Sequence, residues 1–254
     1  MHVAKTISDL HDAKGELSGR VAFVPTMGAL HEGHLSLIRL AKDNADHVIV
    51  SIFVNPTQFA PHEDFDSYPR NAEADGALLQ AEGVDILFLP NEATLYPDGH
   101  DSAVKAGKAK DGLETTFRPH FFDGVVNVVY RLFDAVQPDL AIFGEKDFQQ
   151  LQVIKEMVQA QSLPIEIIGA PIARDERGLA LSSRNAYLSE DALQIARTLN
   201  TVLKDAARTG DYEAAKIALR ANGFDKIDYI EERWGRILGA AWLGKTRLID
   251  NIAK

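Results

Sequence analysis

Five short apolar runs punctuate the chain: Val21 to Val24, Val48 to Val54, Ile86 to Leu89, Leu140 to Phe143 and Ile165 to Ile168. Each is rich in β-branched or aromatic residues and bounded by turn residues, which predicts buried strands. Stretches with apolar residues at helical spacing alternate with them. Leu35, Leu37, Ile38, Leu40 and Ala41 mark one, and Leu78 and Leu79 lie in another from Asn71 to Glu82. Val125, Val126, Val129, Leu132, Phe133 and Val136 mark a third, and Leu151, Ile154, Met157 and Val158 a fourth. Continuous apolar strands alternating with amphipathic helices predict a parallel sheet covered on both faces, a doubly wound α/β domain.

The rhythm changes near Arg174. Helical patterns at about Ser189 to Ala207 and Tyr212 to Ala221 precede two strand patterns, Ile227 to Glu232 and Arg236 to Trp242, around a turn at Gly235. A small second domain is expected, with the division falling between residues 1–173 and 174–254. The polar stretch Asn91 to Gly112 reads as an irregular loop.

Composition narrows the chemistry. The 254 residues carry 27 Lys+Arg against 37 Asp+Glu, a net charge of −10, and no cysteine. Disulfides, thiolate nucleophiles and Cys-ligated metals are excluded. A negative chain lacks the basic footprint that nucleic acid or an anionic membrane requires. A small anionic substrate needs only a few local cations and stays open. Lys5, Asp9, Asp12, Lys14 and Glu16 interrupt the N-terminal segment, so it has no signal-peptide apolar region. No apolar run approaches the ~20 residues of a spanning helix. A soluble, cytoplasmic protein is expected.

Open α/β sheets bind ligands beyond the carboxyl ends of their strands. Polar clusters follow several of the predicted strands: Pro25 to His34, Asn55 to Gln58, Gly144 to Asp147 with Gln149 and Gln150 one turn on, and Arg174 after Pro171. His31 and His34 fall where a helix begins, three residues apart, so both rings can share one face. Free backbone N–H groups and the positive end of the helix dipole suit phosphate there. Gly28 and Gly33 let a ligand approach the backbone. The alternative is two histidines capping a surface helix. The zinc motif H-E-x-x-H fails, because its second histidine would stand at Leu35. Gly239 to Thr246 fits the P-loop pattern G-x-x-x-x-G-K-[ST], yet it lies on a strand pattern with eight residues to follow and carries Trp242. A coincidental match is expected. Neither G-x-G-x-x-G after the first strand nor G-x-S-x-G is present. Leu181-Ser182-Ser183-Arg184-Asn185 offers two hydroxyls and a guanidinium for phosphate oxygens, or equally a serine-capped helix entry.

Together these blocks resemble the pantoate–β-alanine ligase (pantothenate synthetase) family over nearly the whole length. The resemblance rests on Val24 to His34, Ser51 to Phe59, Tyr68-Pro69-Arg70, Phe143 to Gln150 and Leu181 to Asn185, with Ala240 to Asn251 resembling the family's C-terminal strand. It implies a Rossmann-like domain of the H-x-G-H nucleotidyltransferase type, a small C-terminal α+β lid domain and a homodimer. It implies ATP and Mg²⁺, with pantoate and β-alanine as substrates. The implied reaction forms pantoyl adenylate and pyrophosphate, then pantothenate and AMP. By the same resemblance His34, His31 and Lys146 are catalytic. Met27, Gly28, His31, His34, Gly144, Lys146, Asp147, Ala173, Leu181, Ser182, Ser183 and Arg184 meet ATP. Pro25, Met27, Asn55, Gln58 and Gln150 meet pantoate, and Asp75 neighbours the metal. Two departures stand out. The family's R-P-x-H-F-x-G-V stretch has its histidine one place early, as His120, with Phe121 following, and the connection between Glu231 and Arg236 is short. Two other readings are another nucleotidyltransferase of the same type acting on a small anion, and a non-catalytic nucleotide-binding module.

Overall fold

The apolar runs become strands of one parallel sheet in the computed structural model, which describes residues 1–59, 65–66, 68–101 and 104–254. In chain order the first part comprises β1 (His2–Ala4), α1 (Ile7–Gly15), β2 (Val21–Thr26), α2 (Glu32–Asn44), β3 (His47–Ile52), α3 (Ala72–Ala81) and β4 (Ile86–Phe88). It continues with α4 (Glu92–Leu95), α5 (Glu114–Phe117), α6 (Phe121–Val136), β5 (Leu140–Gly144), α7 (Phe148–Ala160) and β6 (Glu166–Ala170). Sheet order is β1-β4-β3-β2-β5-β6, with every pairing parallel. The chain winds outward from β2 through β3 to β4, then crosses to β5 on the other side. That reversal puts a topological switch point at the carboxyl end of β2, where crevices form in such sheets.

Burial explains why these runs are strands. Ala22, Phe23 and Val24 are fully buried, as are Ile49 and Val50 on the neighbouring strand. Ile38 of α2 and Leu79 of α3 pack against one face. Phe23 meets Phe133 of α6 edge-on, at 6.2 Å between centroids. Each fully buried side chain of this size contributes about 1.5–3 kcal/mol. The Asn91–Gly112 stretch holds α4 and a short 3₁₀ turn at Lys108–Lys110; its residues 102 and 103 lie outside the described ones.

The chain divides into two compact units. One holds residues 1–145 and 149–170, the other 146–148 and 171–254. Lys146 and Asp147, expected in the first domain, thus group with the second unit. That unit has α8 (Glu190–Thr209), α9 (Tyr212–Ala221) and an antiparallel sheet of β7 (Lys226–Arg233), β8 (Arg236–Leu243) and β9 (Thr246–Ala253). Ser189 caps α8 by accepting from the Ala192 amide at 3.2 Å. Leu199 and Leu203 of α8 and Leu219 of α9 pack on Ile230 and Ile237. Trp234 and Gly235, at φ +53° and +69°, make the two-residue turn between β7 and β8, the backbone that suits a tight hairpin. The short connection is therefore a minimal turn. Gly244 and Lys245 form the next turn, so the P-loop-like stretch is strand–turn–strand and opens no helix. Among the described residues, no helix is long and apolar enough to cross a membrane.

Candidate functional site

The carboxyl end of β2 leads into a turn whose every step is held. Thr26 Oγ1 donates to the Ser51 carbonyl at 2.8 Å and accepts from the Gly28 amide at 3.2 Å. Gly28 and Ala29 then adopt left-handed conformations, at φ +80° and +50°. A side chain at Gly28 would also come within 3.0 Å of Asp75 Oδ2 and Ile52 Cγ2. Asp75, on α3 and only 3% exposed, accepts the Ala29 amide on Oδ2 at 2.9 Å and the Leu30 amide on Oδ1 at 2.8 Å.

His31 is the N-cap of α2. Its Nδ1 accepts from the Gly33 amide at 3.1 Å, while its own amide donates to His34 Nδ1 at 3.3 Å. The two form a reciprocal capping box. Of the two readings of this pair from the sequence, the structure shows the capping one, since the histidines cap the helix. The capping has a chemical consequence. An Nδ1 that accepts an N–H carries no proton, so each neutral ring bears its proton on Nε2. The rings lie 4.2 Å apart by centroid. Two Nε2–H donors thus sit at the positive end of a 13-residue helix, an arrangement suited to anionic oxygens.

After β3, Asn55 is 1% exposed. Its Oδ1 accepts from the Thr57 amide, the Thr57 hydroxyl and the Tyr96 hydroxyl at 3.3, 3.1 and 2.9 Å. Burial pushes the Tyr96 phenol above its ordinary pKa, which keeps this donor protonated. Asn55 Nδ2 donates to the Gly124 carbonyl at 3.2 Å and to Gln58 Oε1 at 3.3 Å. The other end of the Gln58 amide, Nε2, lies 2.9 Å from Met27 Sδ. Gly124 permits this packing, because a Cβ there would come within 2.5 Å of the Thr57 carbonyl. Arg118 reaches the Gln58 carbonyl at 3.4 Å and stacks 3.8 Å from the Phe121 ring centroid. Phe121, in the place of the resembled family's histidine, thus supports a guanidinium. Pro25, paired with Ser51, and Gln150 are partly buried. Gln149 is buried and latches the preceding loop, accepting from the Glu114 amide and donating to the Ala109, Lys110 and Gly112 carbonyls. Gly144 ends β5, and a Cβ there would meet only Leu37 Cδ2, at 3.9 Å. Packing does not demand that glycine.

In the second unit, Lys146 Nζ lies 3.7 Å from Asp147 Oδ2. The Lys146 carbonyl accepts from Asn251 Nδ2 at 3.1 Å. Asn251 in turn accepts from Arg236 at 2.7 Å. The buried Asp250 takes a bidentate pair from Arg174 at 2.7 and 2.9 Å, so Arg174 is spent on the framework. This lattice of β9 polar residues holds the Lys146 backbone in place. The Ala173 carbonyl accepts from the Leu181 amide at 2.9 Å, bringing those two residues together. Ser182 caps the 3₁₀ turn Ser183–Tyr187 by accepting from the Arg184 amide at 3.3 Å. Ser183 and Arg184 follow on that turn. Sequence reasoning named Asn55 and Asp75 but missed the contacts they make here: Asp75 holds amides 46 and 45 residues away, and Asn55 joins its neighbours Thr57 and Gln58 to the distant Tyr96 and Gly124.

A parallel sheet with a histidine-capped helix leaving its central strand defines a Rossmann-like α/β enzyme, here with a separate antiparallel unit. Residues 2–253 match the model of the family described as pantoate-beta-alanine ligase. A pantothenate synthetase of Mesorhizobium japonicum is 53% identical, over 92% of this chain and 89% of its own. One from Caulobacter vibrioides is 49% identical, over 99% of this chain and 98% of its own. Among solved structures, pantothenate synthetase from Thermus thermophilus superposes with a TM-score of 0.91 at 41% identity, covering 100% of this chain and 99% of that one. Pantoate-beta-alanine ligase from Francisella tularensis, complexed with beta-gamma ATP and beta-alanine, gives 0.92 at 38%, covering 100% and 97%. The chain belongs to the pantoate-beta-alanine ligase family, and its reaction is the condensation of pantoate with β-alanine.

Proposed function

We propose that this chain drives the condensation with ATP, and that the paired Nε2–H donors of His31 and His34 receive its phosphates. The capping box carries this reading, because it fixes both tautomers as donors at a helix N-terminus. A family member complexed with beta-gamma ATP and beta-alanine supports it. The pantoate carboxylate attacks the α-phosphorus, giving pantoyl adenylate and pyrophosphate. The amine of β-alanine then attacks the acyl carbon, AMP leaves, and the surplus amine proton passes to solvent.

The family resemblance assigns each group a task that its chemistry suits. Pantoate and ATP are both anions, so their approach needs fixed positive charge and preset geometry. Lys146 supplies the charge. His34 Nε2–H donates to the departing pyrophosphate, and His31 binds beside it. Gln58, held by Asn55, and Gln150 orient the hydroxyls and carboxylate of pantoate as neutral amides, with Pro25 and Met27 lining the same place. Asn55 therefore acts through Gln58. Asp147 and Gly144 serve the ribose, and the Ala173 and Leu181 backbones the adenine. Ser182, Ser183 and Arg184 serve the phosphates.

Mg²⁺ accompanies ATP in this reading. The donor set does not fit a metal held by the protein. Among the described residues no group of three His, Asp or Glu could hold one, and the buried Asp75 already accepts a backbone amide on each oxygen. The reading includes a homodimer, taken from the family resemblance, and a cytoplasmic location.

An assay with ATP, pantoate and β-alanine, each omitted in turn, tests the function. AMP and pantothenate forming together only in the complete mixture is the expected result. A stable adenylylated end product would favour a nucleotidyltransferase instead.

A further inference from the structure

We propose that Asp75 is the positioning residue of the histidine turn, and that its carboxylate works on the turn's backbone rather than on a metal ion. Ala29 is the strained position of the turn. An alanine at φ +50° occupies a region that side chains with a Cβ rarely adopt, so something must hold it there. The holder is Asp75, which is 3% exposed and spends one oxygen on the Ala29 amide and the other on the Leu30 amide. Charge-assisted bonds of this length are among the stronger ones available to a backbone amide. Gly28 completes the fit, since a Cβ there would come within 3.0 Å of the same carboxylate.

The residue after Leu30 is His31, the N-cap, and its amide is bonded to His34 Nδ1. The carboxylate, the left-handed turn and the two imidazoles therefore form one chain of contacts. Releasing the turn tilts both Nε2–H donors together. A metal ion would have to share a carboxylate that already accepts two amides and is only 3% exposed, which leaves little room for Mg²⁺ with its near-octahedral oxygen ligands and retained waters. The catalytic consequence rests on the reading of His31 and His34 as ATP-binding groups; the clamp itself does not.

The test uses the full chain carrying Asp75→Asn or Asp75→Ala. Hydrogen exchange at the Ala29 and Leu30 amides, turnover, and the Mg²⁺ concentration for half-maximal rate at fixed ATP are measured. The expected result is exchange at least tenfold faster, turnover at least tenfold lower and Mg²⁺ half-saturation within twofold of the parent. Adding Ala29→Gly to Asp75→Asn should recover turnover at least threefold, because glycine adopts the left-handed turn unaided. Unchanged exchange, or a tenfold rise in the Mg²⁺ requirement, would overturn the proposal. Faster exchange with full turnover would overturn the positioning role and leave the ATP reading standing. If neither variant folds, Mn²⁺ is added to the parent protein without nucleotide. Selective broadening of the Ala29 and Leu30 amide signals would overturn the proposal, and their persistence would support it.

Discussion

Asn55 donates to Gln58 Oε1 at 3.3 Å, and that bond decides which end of the Gln58 amide is presented. Asn55 is itself held by hydrogen bonds with Thr57, Tyr96 and Gly124. Replacing it by alanine removes the Asn55 acceptor from the buried Tyr96 hydroxyl and the donor from Gln58 Oε1. Asn55→Ala should lower the unfolding free energy by about 2–4 kcal/mol, the scale of buried polar groups left unpaired. Urea denaturation reads that loss. The KM for pantoate should rise more than the KM for ATP, and a loss below about 1 kcal/mol would contradict the structural role.

Gln58→Glu keeps the shape and adds a negative charge. Against an anionic substrate this should weaken pantoate binding at least tenfold, which corresponds to about 1.4 kcal/mol. ATP binding should change less, because its assigned partners are elsewhere. Calorimetric titration with each ligand separates the two. Equal weakening of both would sink the placement of pantoate at Gln58.

How much of the molecule is legible in its sequence depends on how local each signal is. The run Val48 to Val54 announces a strand because β3 is buried on both faces and needs no polar alternation. β1 carries no such signal, since it has three residues and two of them, His2 and Val3, are exposed. β9 is disguised by Asp250 and Asn251, buried polar residues paired to Arg174 and Arg236. Histidines at i and i+3 at a helix start are visible in sequence, but their tautomers follow from backbone bonds that only coordinates show. The Asp75 carboxylate meets amides 46 and 45 residues away, and nothing in the local sequence marks that contact.

Acid should loosen the second unit in a defined window. Burial alone would raise the pKa of the Asp175 carboxyl, but hydrogen bonds from Arg197 and from the Leu179 and Arg177 amides outweigh it and hold it below its ordinary value of 3.8. Because the folded value is depressed, the stabilisation is complete well above 3.8 and fades as pH falls through the folded value. Asp175→Asn removes the charge and that dependence. The stability gap between parent and variant should therefore be constant from pH 7 to about 5 and close on further acidification. A gap that widened as pH fell would refute the sign. Thermal or urea unfolding across this range, following Trp234 and Trp242 fluorescence from the second unit, provides the measurement.

Capping and phosphate binding can be separated at His31. Asparagine is among the best N-cap residues, so His31→Asn should still accept from the Gly33 amide and keep α2 anchored. It lacks the second ring nitrogen and so removes the Nε2–H donor. His31→Ala removes both functions. The alanine variant should lose about 1 kcal/mol of stability, while the asparagine variant stays within about 0.5 kcal/mol of the parent. Both should lose turnover to a similar degree, on the order of 10²-fold, the cost of deleting one donor to a developing anion. Full activity in His31→Asn would show that the histidine serves only as a cap. Loss of activity in His31→Ala alone would lead to the same conclusion, since it would track the cap and not the donor.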